Sequence, residues 1–282
     1  MNIVNQPKVV LITGASAGIG KATANQLLQE GYIVYGAARR IEQMKDIESK
    51  GARIIEMDLT DDESMTNAIT RIIQQEGRID VLFNNAGYGS YGAVEDVPIA
   101  EARRQFEVNL FGLSRLTQLV LPYMRHQRSG KIINTSSAGG KVYTLLGAWY
   151  HAAKHALEGY SDCLRVEVKP FGIDVIVIEP GATESEWAEV VIEHVGKTSG
   201  KTAYSKLAQA FTETFKTFEK SSSVYSPERI AHLVSKAILA KKPKTRYVAG
   251  NAKPVLLMRK LMSDRMFDRI LYRMFKVNPQ QI

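Results

Sequence analysis

Residues 8–20, KVVLITGASAGIG, join a short apolar run to a glycine-rich turn and the start of a helical pattern. The run is strand-length and rich in Val and Ile, which is typical of a buried strand. Gly14, Gly18 and Gly20 allow a tight turn and let the backbone approach a phosphate, and the helix N-terminus behind them offers free N–H groups. Alone this motif is a weak signal. After a first strand, and before further alternating elements, it predicts binding of a dinucleotide.

Strand-like and helical segments alternate along the remaining chain. This alternation predicts an α/β fold, a single-domain Rossmann-type doubly wound parallel sheet of about seven strands. The predicted strands are 8–13, 32–37, 52–57, 79–84, 131–136, 173–179 and 245–250, and the predicted helices are 18–30, 41–50, 62–76, 99–127, 148–169 and 227–241.

The pattern also predicts how the chain is organised. Residues 1–250 form the catalytic domain, and residues 182–226, which hold helical but no strand pattern, form a helical substrate lid after the sixth strand. Residues 251–282 form a basic C-terminal extension.

Composition limits the classes of protein. The chain has 282 residues and a single cysteine, Cys163, which excludes an intramolecular disulfide and a metal site built from several cysteines. We expect Cys163 to be a buried small side chain. The N-terminus does not read as a signal peptide, and no apolar run reaches the ~18 residues that span a bilayer. We therefore expect a cytoplasmic protein.

The positive charge lies in the last part of the chain. The net charge is +8, yet residues 241–282 hold eleven basic and two acidic residues. Within them, residues 264–276 predict an amphipathic helix whose apolar side carries Phe267 and Leu271. Three interpretations stay open: a helix packed on its own domain or on a sister subunit, a peripheral membrane contact through 264–276, and a nucleic-acid arm. We expect no nucleic-acid partner.

A candidate reacting group lies in the sequence WYHAAK. Tyr150 and Lys154 are four residues apart, which places both on one helix face. A nearby ammonium favours the phenolate, so Lys154 is expected to lower the pKa of Tyr150 and make it a proton donor or acceptor. Ser137, at the end of the fifth predicted strand, would reach the same sheet edge and bond a substrate oxygen, with Ser136 as its competitor.

Together these motifs make the chain resemble the short-chain dehydrogenase/reductase (SDR) superfamily, and it is similar to the branch that holds 17β-hydroxysteroid and retinol dehydrogenases. The resemblance covers about residues 8–250. The motifs that carry it are the glycine turn, NNAG at 84–87, Asn109 in FEVNLFG, Ser137, the Tyr150/Lys154 pair and EPGATES at 179–185.

The resemblance implies a role for each matched residue. Tyr150 is the acid/base, Ser137 polarises the substrate oxygen, Lys154 bonds the nicotinamide ribose and lowers the pKa of Tyr150, and Asn109 holds a water in a proton relay. No metal is required. The implied cofactor-binding residues are Gly14, Ser16, Gly18, Ile19, Gly20, Arg39, Asp58, Asn85, Ala86, Gly87, Tyr150, Lys154, Pro180, Gly181, Thr183 and Ser185.

The residues after the second predicted strand indicate which cofactor is bound. Relatives that prefer NAD usually carry an acid there, whereas this chain has Ala38 followed by Arg39, whose planar fork can bind a phosphate. We therefore expect NADP(H) to be preferred over NAD(H), with Arg40 as a weaker second contact. A basic residue that often precedes the second motif glycine is replaced by Ala17.

The expected substrate is a small lipophilic ketone, aldehyde or secondary alcohol, such as a steroid- or retinoid-like compound. Trp149 is equally well explained as a helix-packing aromatic residue. The predicted substrate pocket, mainly apolar and aromatic, consists of Ala138, Tyr143, Leu145, Leu146, Trp149 and Trp187.

We thus expect an NADP(H)-dependent oxidoreductase that transfers a hydride between the nicotinamide and a carbonyl or alcohol carbon. The alternative is a non-catalytic NADP-binding sensor or scaffold on the same fold. The resemblance also implies a homodimer or homotetramer that pairs through the helices at 99–127 and 148–169.

Overall fold

A parallel β-sheet forms the centre of the molecule in the computed structural model, which describes residues 6–184, 187–219, 224–250 and 252–280. In these residues the sheet has seven strands in the order β3-β2-β1-β4-β5-β6-β7. This confirms the predicted α/β fold and strand number. The strands are β1 (Val9–Thr13), β2 (Ile33–Ala38), β3 (Arg53–Glu56), β4 (Val81–Asn84), β5 (Gly130–Thr135), β6 (Ile173–Pro180) and β7 (Arg246–Ala249).

Helices cover both faces of the sheet, which is why the central strands are apolar throughout. They are α1 (Gly18–Gln29), α2 (Lys45–Glu48), α3 (Asp62–Glu76), α4 (Ile99–Phe106), α5 (Leu113–Gln127), α6 (Ala148–Val168), α7 (Trp187–Ser199), α8 (Ser205–Glu219), α9 (Pro227–Leu239), α10 (Ala252–Leu261) and α11 (Asp264–Met274).

Local signals set several helix boundaries. The Asp61 carboxylate accepts hydrogen bonds from the N–H groups of Glu63 and Ser64, at 3.0 and 3.3 Å, and so begins α3. Gly77, with φ of 70°, ends the same helix in the left-handed conformation. The predicted helix at 41–50 is instead a 3-10 turn, Ile41–Met44, followed by the single turn of α2.

The predicted helix at 99–127 contains an unexpected feature. Between α4 and α5, Glu107–Gly112 form a π-helical turn. Such turns are rare and concentrate at functional sites. This one contains Asn109, a predicted site residue that is buried.

Two apolar cores lie on the two sides of the sheet. On one side, Leu27 of α1 and Val234 of α9 pack against the sheet. On the other, Ile72 of α3, Leu116 of α5 and Leu164 of α6 do so. Burial of these side chains, each worth about 1.5–3 kcal/mol, fixes the helices that carry the loops at the carboxyl ends of the strands.

A third core lies above the carboxyl ends of the strands and is largely aromatic. Tyr91, Tyr150 and Phe211 belong to it, together with Phe267 and Phe275 from the C-terminal extension. We call these residues and their neighbours the aromatic cluster. The described part of the predicted lid supplies α7 and α8, and a β-bridge between Thr183 and Tyr225 brings its two ends together beside β6.

Three further observations concern the described residues. None of their helices combines the length with the hydropathy that a bilayer-spanning segment requires. They contain no group of three or more His, Cys, Asp or Glu side chains placed to hold a metal ion. Cys163 is exposed, so the expectation of a buried thiol was wrong.

Candidate active site

The glycine turn and the NNAG segment meet where the strand order reverses, between β1 and β4. This switch point is where doubly wound sheets bind their ligands. The Thr13 hydroxyl accepts hydrogen bonds of 3.0 Å from the N–H groups of Asn85 and Ala86, and Asn85 Nδ2 donates to the Thr13 carbonyl at 3.1 Å. Thr13 therefore ties the two motifs together. Thr13 was not among the predicted site residues, although its place directly before Gly14 was a signal.

The glycines of the turn, which we call the glycine cradle, pack so closely on the NNAG segment and on each other that a side chain would not fit. Gly14 has φ of +68°, and a Cβ there would lie 2.9 Å from Ala86 Cα. A Cβ on Gly20 would lie 2.7 Å from Asn85 Nδ2. Helix α1 begins at Gly18 with no side-chain cap, so its first N–H groups remain available. These features fit the pyrophosphate of a dinucleotide.

The adenosine end of the predicted site lies at the ends of β2 and β3. Arg39 is exposed and lines a surface cavity of about 580 Å³ together with Asp58. The Asp58 carboxylate accepts hydrogen bonds from the Thr60 N–H and hydroxyl at 2.9 and 2.8 Å, so it also holds a local turn. Arg40 Nη2 donates to the Ser16 hydroxyl at 3.5 Å. Arg40, expected to be the weaker of the two phosphate contacts, therefore reaches the glycine turn.

The π-helical turn aims Asn109 at the NNAG segment. Asn109 Nδ2 donates to the Tyr88 carbonyl at 2.8 Å, and its Oδ1 accepts from the Tyr88 N–H at 3.0 Å. A Cβ on Gly87 would lie 3.0 Å from Asn109 Oδ1 and 3.7 Å from Lys154 Nζ. The structure thus brings Gly87, Asn109 and Lys154 together, as their predicted roles require.

Tyr150 and Lys154 lie on the inner face of α6, both buried. Lys154 Nζ lies 5.9 Å from the centre of the Tyr150 ring and donates a hydrogen bond of 2.8 Å to the Thr135 carbonyl. The carboxyl end of β5 thereby fixes the ammonium beside the phenol.

The two adjacent serines have different surroundings. The Ser137 hydroxyl accepts from the Gly139 N–H at 3.0 Å and forms a hydrogen bond with Tyr150. Ser136 Oγ is buried without a hydrogen-bond partner among the described residues, and a Cβ on Gly140 would lie 2.6 Å from it. Of the two candidates, Ser137 is the one placed beside the phenol.

The ionisation of Tyr150 and Lys154 differs from the expectation. Burial raises the pKa of Tyr150 to about 12, and the hydrogen bond with Ser137 only partly offsets this. Burial lowers the pKa of Lys154 to about 8, against the opposing effect of Glu158. The expected net lowering of the pKa of Tyr150 is not found here, because desolvation of the enclosed phenol is the largest effect and raises that pKa. Tyr150 is therefore protonated at neutral pH.

An acidic network lies one helical turn beyond Lys154. Glu158 Oε2 is bound by Arg246 Nη2 at 2.9 Å and by Lys141 Nζ at 3.0 Å. Glu179 Oε1 lies 3.2 Å from Arg246 Nε, and burial and the charge of Glu158 raise the pKa of Glu179 to about 7. No sequence pattern indicated this network, because its members are separated by up to about a hundred residues.

Aromatic rings enclose the Tyr150 side chain. The ring centres of Tyr91 and Trp187 lie 5.5 and 5.4 Å from that of Tyr150. Trp187 packs so closely on the Gly89 backbone that a Cβ there would lie 2.8 Å from the indole. The predicted pocket residue Trp187 is thus next to the phenol, and Tyr91 is a neighbour that sequence analysis did not name.

His151 packs edge-on against Tyr150, with ring centres 5.6 Å apart. Its Nδ1 lies 2.9 Å from the Gly139 carbonyl and so carries the proton, while its Nε2 accepts from the Thr144 N–H at 3.1 Å. Burial lowers the pKa of His151 to about 4. This neutral imidazole holds the loop before α6 against the helix.

The other predicted pocket residues divide into two groups. Tyr143, Leu145 and Leu146 pack against the aromatic cluster, and Ala138 is half-buried in the 3-10 turn after Ser137. Trp149 instead packs edge-on against Phe106 of α4, with ring centres 6.5 Å apart, and is not among the residues of the cluster. Adjacent helical residues point about 100° apart, so the structure supports helix packing rather than a pocket role for Trp149.

The Pro-Gly stretch closes the site at the end of β6. Pro180 is the last residue of that strand, and the Gly181 N–H donates to the Ala249 carbonyl at 3.0 Å. The Thr183 hydroxyl donates to the Gly181 carbonyl at 3.3 Å. Ser185, also predicted to bind cofactor, lies outside the described residues.

Comparison with known proteins identifies the family. A model of the short chain dehydrogenase family matches residues 8–195. A 3-ketodihydrosphingosine reductase of Bacteroides thetaiotaomicron is 38% identical over 253 residues, 89% of this chain and 91% of the relative. An NADPH-dependent 3-dehydrocapnine reductase of Ornithobacterium rhinotracheale is 34% identical over 97% of this chain and 99% of its own length.

A solved structure agrees with these relatives. A short-chain dehydrogenase from Streptomyces avermitilis is 33% identical and superposes with a TM-score of 0.76, covering 95% of this chain and 96% of that one. The glycine cradle, the Tyr150/Lys154 pair and these similarities lead to one conclusion: the chain belongs to the short-chain dehydrogenase family and is an oxidoreductase.

Proposed function

We propose that the protein is an NADP(H)-dependent reductase of lipophilic ketones, with Tyr150 as its acid/base. The observation that supports this best is the state of Tyr150, a protonated phenol enclosed by aromatic rings and hydrogen-bonded to Ser137. A general acid must carry its proton at working pH and lie beside the oxygen that receives it. A site that only binds a dinucleotide has no need of a buried phenol.

The residues around Tyr150 suit protonation of a carbonyl oxygen. The hydroxyls of Ser137 and Tyr150 both donate hydrogen bonds to that oxygen, which polarises the carbonyl bond. As the carbon is reduced, the Tyr150 proton moves to the oxygen and an alcohol forms. The phenolate that remains is stabilised by the ammonium of Lys154, and solvent then returns the proton.

The cofactor would lie across the switch point. When bound, the nicotinamide supplies the hydride that adds to the carbonyl carbon. The glycine cradle and the N-terminus of α1 would hold the pyrophosphate, and Lys154 the nicotinamide ribose. Arg39 and Arg40 would hold a 2′-phosphate, which favours NADP(H) over NAD(H). The name of the relative from Ornithobacterium rhinotracheale includes NADPH.

The aromatic cluster supports a lipophilic substrate. The rings of Tyr91, His151 and Trp187 have their centres 5.4–5.6 Å from that of Tyr150, and the other residues of the cluster are apolar or aromatic. The reductases from Bacteroides and Ornithobacterium are named for 3-keto or 3-dehydro compounds. We therefore place lipophilic 3-ketones first among the candidate substrates, ahead of steroid- and retinoid-like ketones.

The test is a panel of ketones of increasing chain length, assayed by the absorbance of NADPH and of NADH. We expect turnover that rises with chain length, a preference for NADPH, and a loss of kcat of about 100-fold or more in Tyr150→Phe. Tyr160→Phe, on the same helix, is the control and should keep full activity. Tight NADPH binding without turnover of any ketone would favour the alternative, a sensor or scaffold.

The quaternary structure and the location stay predictions. Exposed apolar side chains on the helices expected to pair, such as Phe111 and Val166, support a homodimer or homotetramer. Analytical ultracentrifugation of the full chain tests this, and cell fractionation tests the predicted cytoplasmic localisation.

A further inference from the structure

The outer side of α10 carries basic and large apolar side chains together. Lys253, Leu257, Lys260 and Leu261 follow the i, i+4, i+7, i+8 spacing of a single helix face, and all four are exposed. Leu257 and Leu261 are 61% and 77% exposed. Isolated exposed leucines are ordinary on protein surfaces. Here two exposed leucines and two lysines share one helix face, and together they form a mixed basic and apolar patch.

Helix α11, which begins three residues after α10 ends, carries a second stripe of exposed basic side chains. Arg265, Arg269 and Arg273 are spaced four residues apart and exposed, and Met266, 49% exposed, lies on the same side of the helix. We name the whole set the basic–apolar surface: Lys253, Leu257, Lys260, Leu261, Arg265, Met266, Arg269 and Arg273.

This surface differs from the one that the sequence suggested. Residues 264–276 predict an apolar side around Phe267, Leu271 and Phe275, and these three side chains are buried in the aromatic cluster. The Phe275 ring stacks on Phe211 with centres 5.5 Å apart. The apolar side of α11 is therefore used within the molecule, and any outward contact must use the opposite side and α10.

The two acidic residues of the same segment do not neutralise the surface. From residue 253 to 276 the chain has seven basic and two acidic residues. Asp264 forms an ion pair with Arg259, and Asp268 accepts a hydrogen bond of 2.9 Å from the Tyr143 hydroxyl. Arg259 itself stacks over the rings of Tyr143 and Phe267. Both acids thus have partners within the molecule, and the outer cations do not face a carboxylate of this segment.

We infer that the basic–apolar surface docks the protein on anionic lipid bilayers. Arginine and lysine side chains attract anionic headgroups, and leucine and methionine side chains enter the boundary between headgroups and acyl chains. Nucleic acid would use the cations but would leave the leucines in water. A second copy of the chain, paired by a two-fold axis, would bring these cations against each other.

Docking in this orientation has a consequence for the site. The inner side of α11 packs in the same cluster as Tyr150, so a lipid-bound α10–α11 segment would hold the aromatic cluster close to the bilayer. The inference stands apart from the proposed reaction, because vesicle binding is measured without turnover and its failure leaves the reductase assay untouched.

The test is co-sedimentation of the full chain with vesicles of phosphatidylcholine containing about 30% phosphatidylglycerol, compared with pure phosphatidylcholine. We expect binding to the anionic vesicles only, weakening with added salt. The double variant Leu257→Ser/Leu261→Ser should bind at least roughly tenfold more weakly, because two apolar side chains no longer enter the interface. Arg265→Gln/Arg269→Gln should weaken binding by a similar factor.

The matched control is Leu239→Ser, which removes an apolar side chain 63% exposed at the end of α9, outside the surface. It should bind like the wild type, and circular dichroism should show that all variants are folded. Equal binding by the leucine variant and the control would overturn the inference, as would absence of wild-type binding to anionic vesicles. Conversion of an oligomer to a monomer by the leucine substitutions would overturn it too, because the partner would then be a second copy.

Discussion

The Tyr143 hydroxyl donates a hydrogen bond of 2.9 Å to Asp268, joining the loop before α6 to the last helix across 125 residues of sequence. The two rings beside this bond, Tyr143 and Phe267, pack edge-on with centres 5.0 Å apart. The C-terminal extension therefore packs into the aromatic cluster that contains Tyr150. It contributes to the site although it lies beyond the family's glycine, tyrosine and lysine motifs.

This relationship predicts that the extension stabilises the domain. Phe267→Ala should lower the free energy of unfolding by about 3 kcal/mol, because it leaves a cavity where a buried ring packs against Tyr143. It should also raise KM for long-chain ketones. Met274→Ala, in the same helix at a 45% exposed position, should change stability by less than about 0.5 kcal/mol. Urea unfolding at pH 7 measures the free energy of unfolding of both variants. Equal losses in Phe267→Ala and Met274→Ala would contradict the packing of the Phe267 ring against Tyr143.

The two arginines after β2 predict the cofactor preference. Arg39→Ala and Arg40→Ala should each lower kcat/KM with NADPH by roughly tenfold or more, since each removes a charge-assisted hydrogen bond to the 2′-phosphate. The kcat/KM measured with NADH should stay unchanged. Arg103→Ala, an exposed arginine of α4, is the control. A wild type that prefers NADH would refute the assignment, and an effect of Arg39→Ala alone would restrict it to that residue.

The buried neutral His151 predicts a loss of stability in acid. Its pKa is lowered to about 4 from its ordinary value of 6.5. Between these values the unfolded chain binds a proton here and the folded chain does not, so stability falls as the pH falls through this window, by up to about 3 kcal/mol. The measurement is the unfolding free energy of wild type and His151→Gln at several pH values.

His151→Gln should be less stable than the wild type at pH 7, because the Gly139 and Thr144 contacts change. The difference between the two proteins should shrink as the pH drops from 6.5 to 4. The exposed His232 serves as the control, and His232→Gln should parallel the wild type. A constant difference across the window would show that His151 does not cause the acid sensitivity.

The carboxylate of Glu158 predicts the alkaline limit of activity. Its charge raises the pKa of Lys154, against the larger lowering by burial that brings this pKa to about 8. Glu158→Gln removes the charge and keeps the shape, so the pKa of Lys154 should fall further. The decline of kcat/KM at high pH should then begin at a lower pH, because the ammonium that stabilises the phenolate is lost sooner.

Asp162→Asn is the matched control for this prediction. Asp162 also binds Arg246, at 2.8 Å, but it lies two helical turns from Lys154 and is not a cause of the lowered pKa. Its substitution should leave the pH profile of kcat/KM in place. The same profile for Glu158→Gln and the wild type would show that Glu158 acts on stability alone.

Sequence patterns determined the sheet and the parts of the site that are local in the chain. The alternation of buried runs and helical patterns predicts all strands of the sheet, because strand and helix periods are short-range properties. The glycine turn after β1 and the spacing of Tyr150 and Lys154 are local as well. So is the position of Ser137, since every parallel strand ends at the same sheet edge.

Tertiary packing decided the rest, for two physical reasons. First, side-chain neighbours can be far apart in sequence: Tyr91, Trp187 and Phe275 meet around Tyr150 and Phe211 only when the lid and the extension fold over the sheet. The same holds for the Arg40–Ser16 contact, and for the use of the apolar side of α11 inside the molecule.

Second, the charge of a buried group depends on what encloses it. The spacing of Tyr150 and Lys154 suggested a lowered tyrosine pKa, but burial raises it to about 12. Desolvation is a sum over all surrounding atoms, and no spacing within one helix contains it. The sequence therefore predicted the Tyr150/Lys154 pair that we propose as the acid/base centre, and the folded structure set the environment and protonation state of Tyr150.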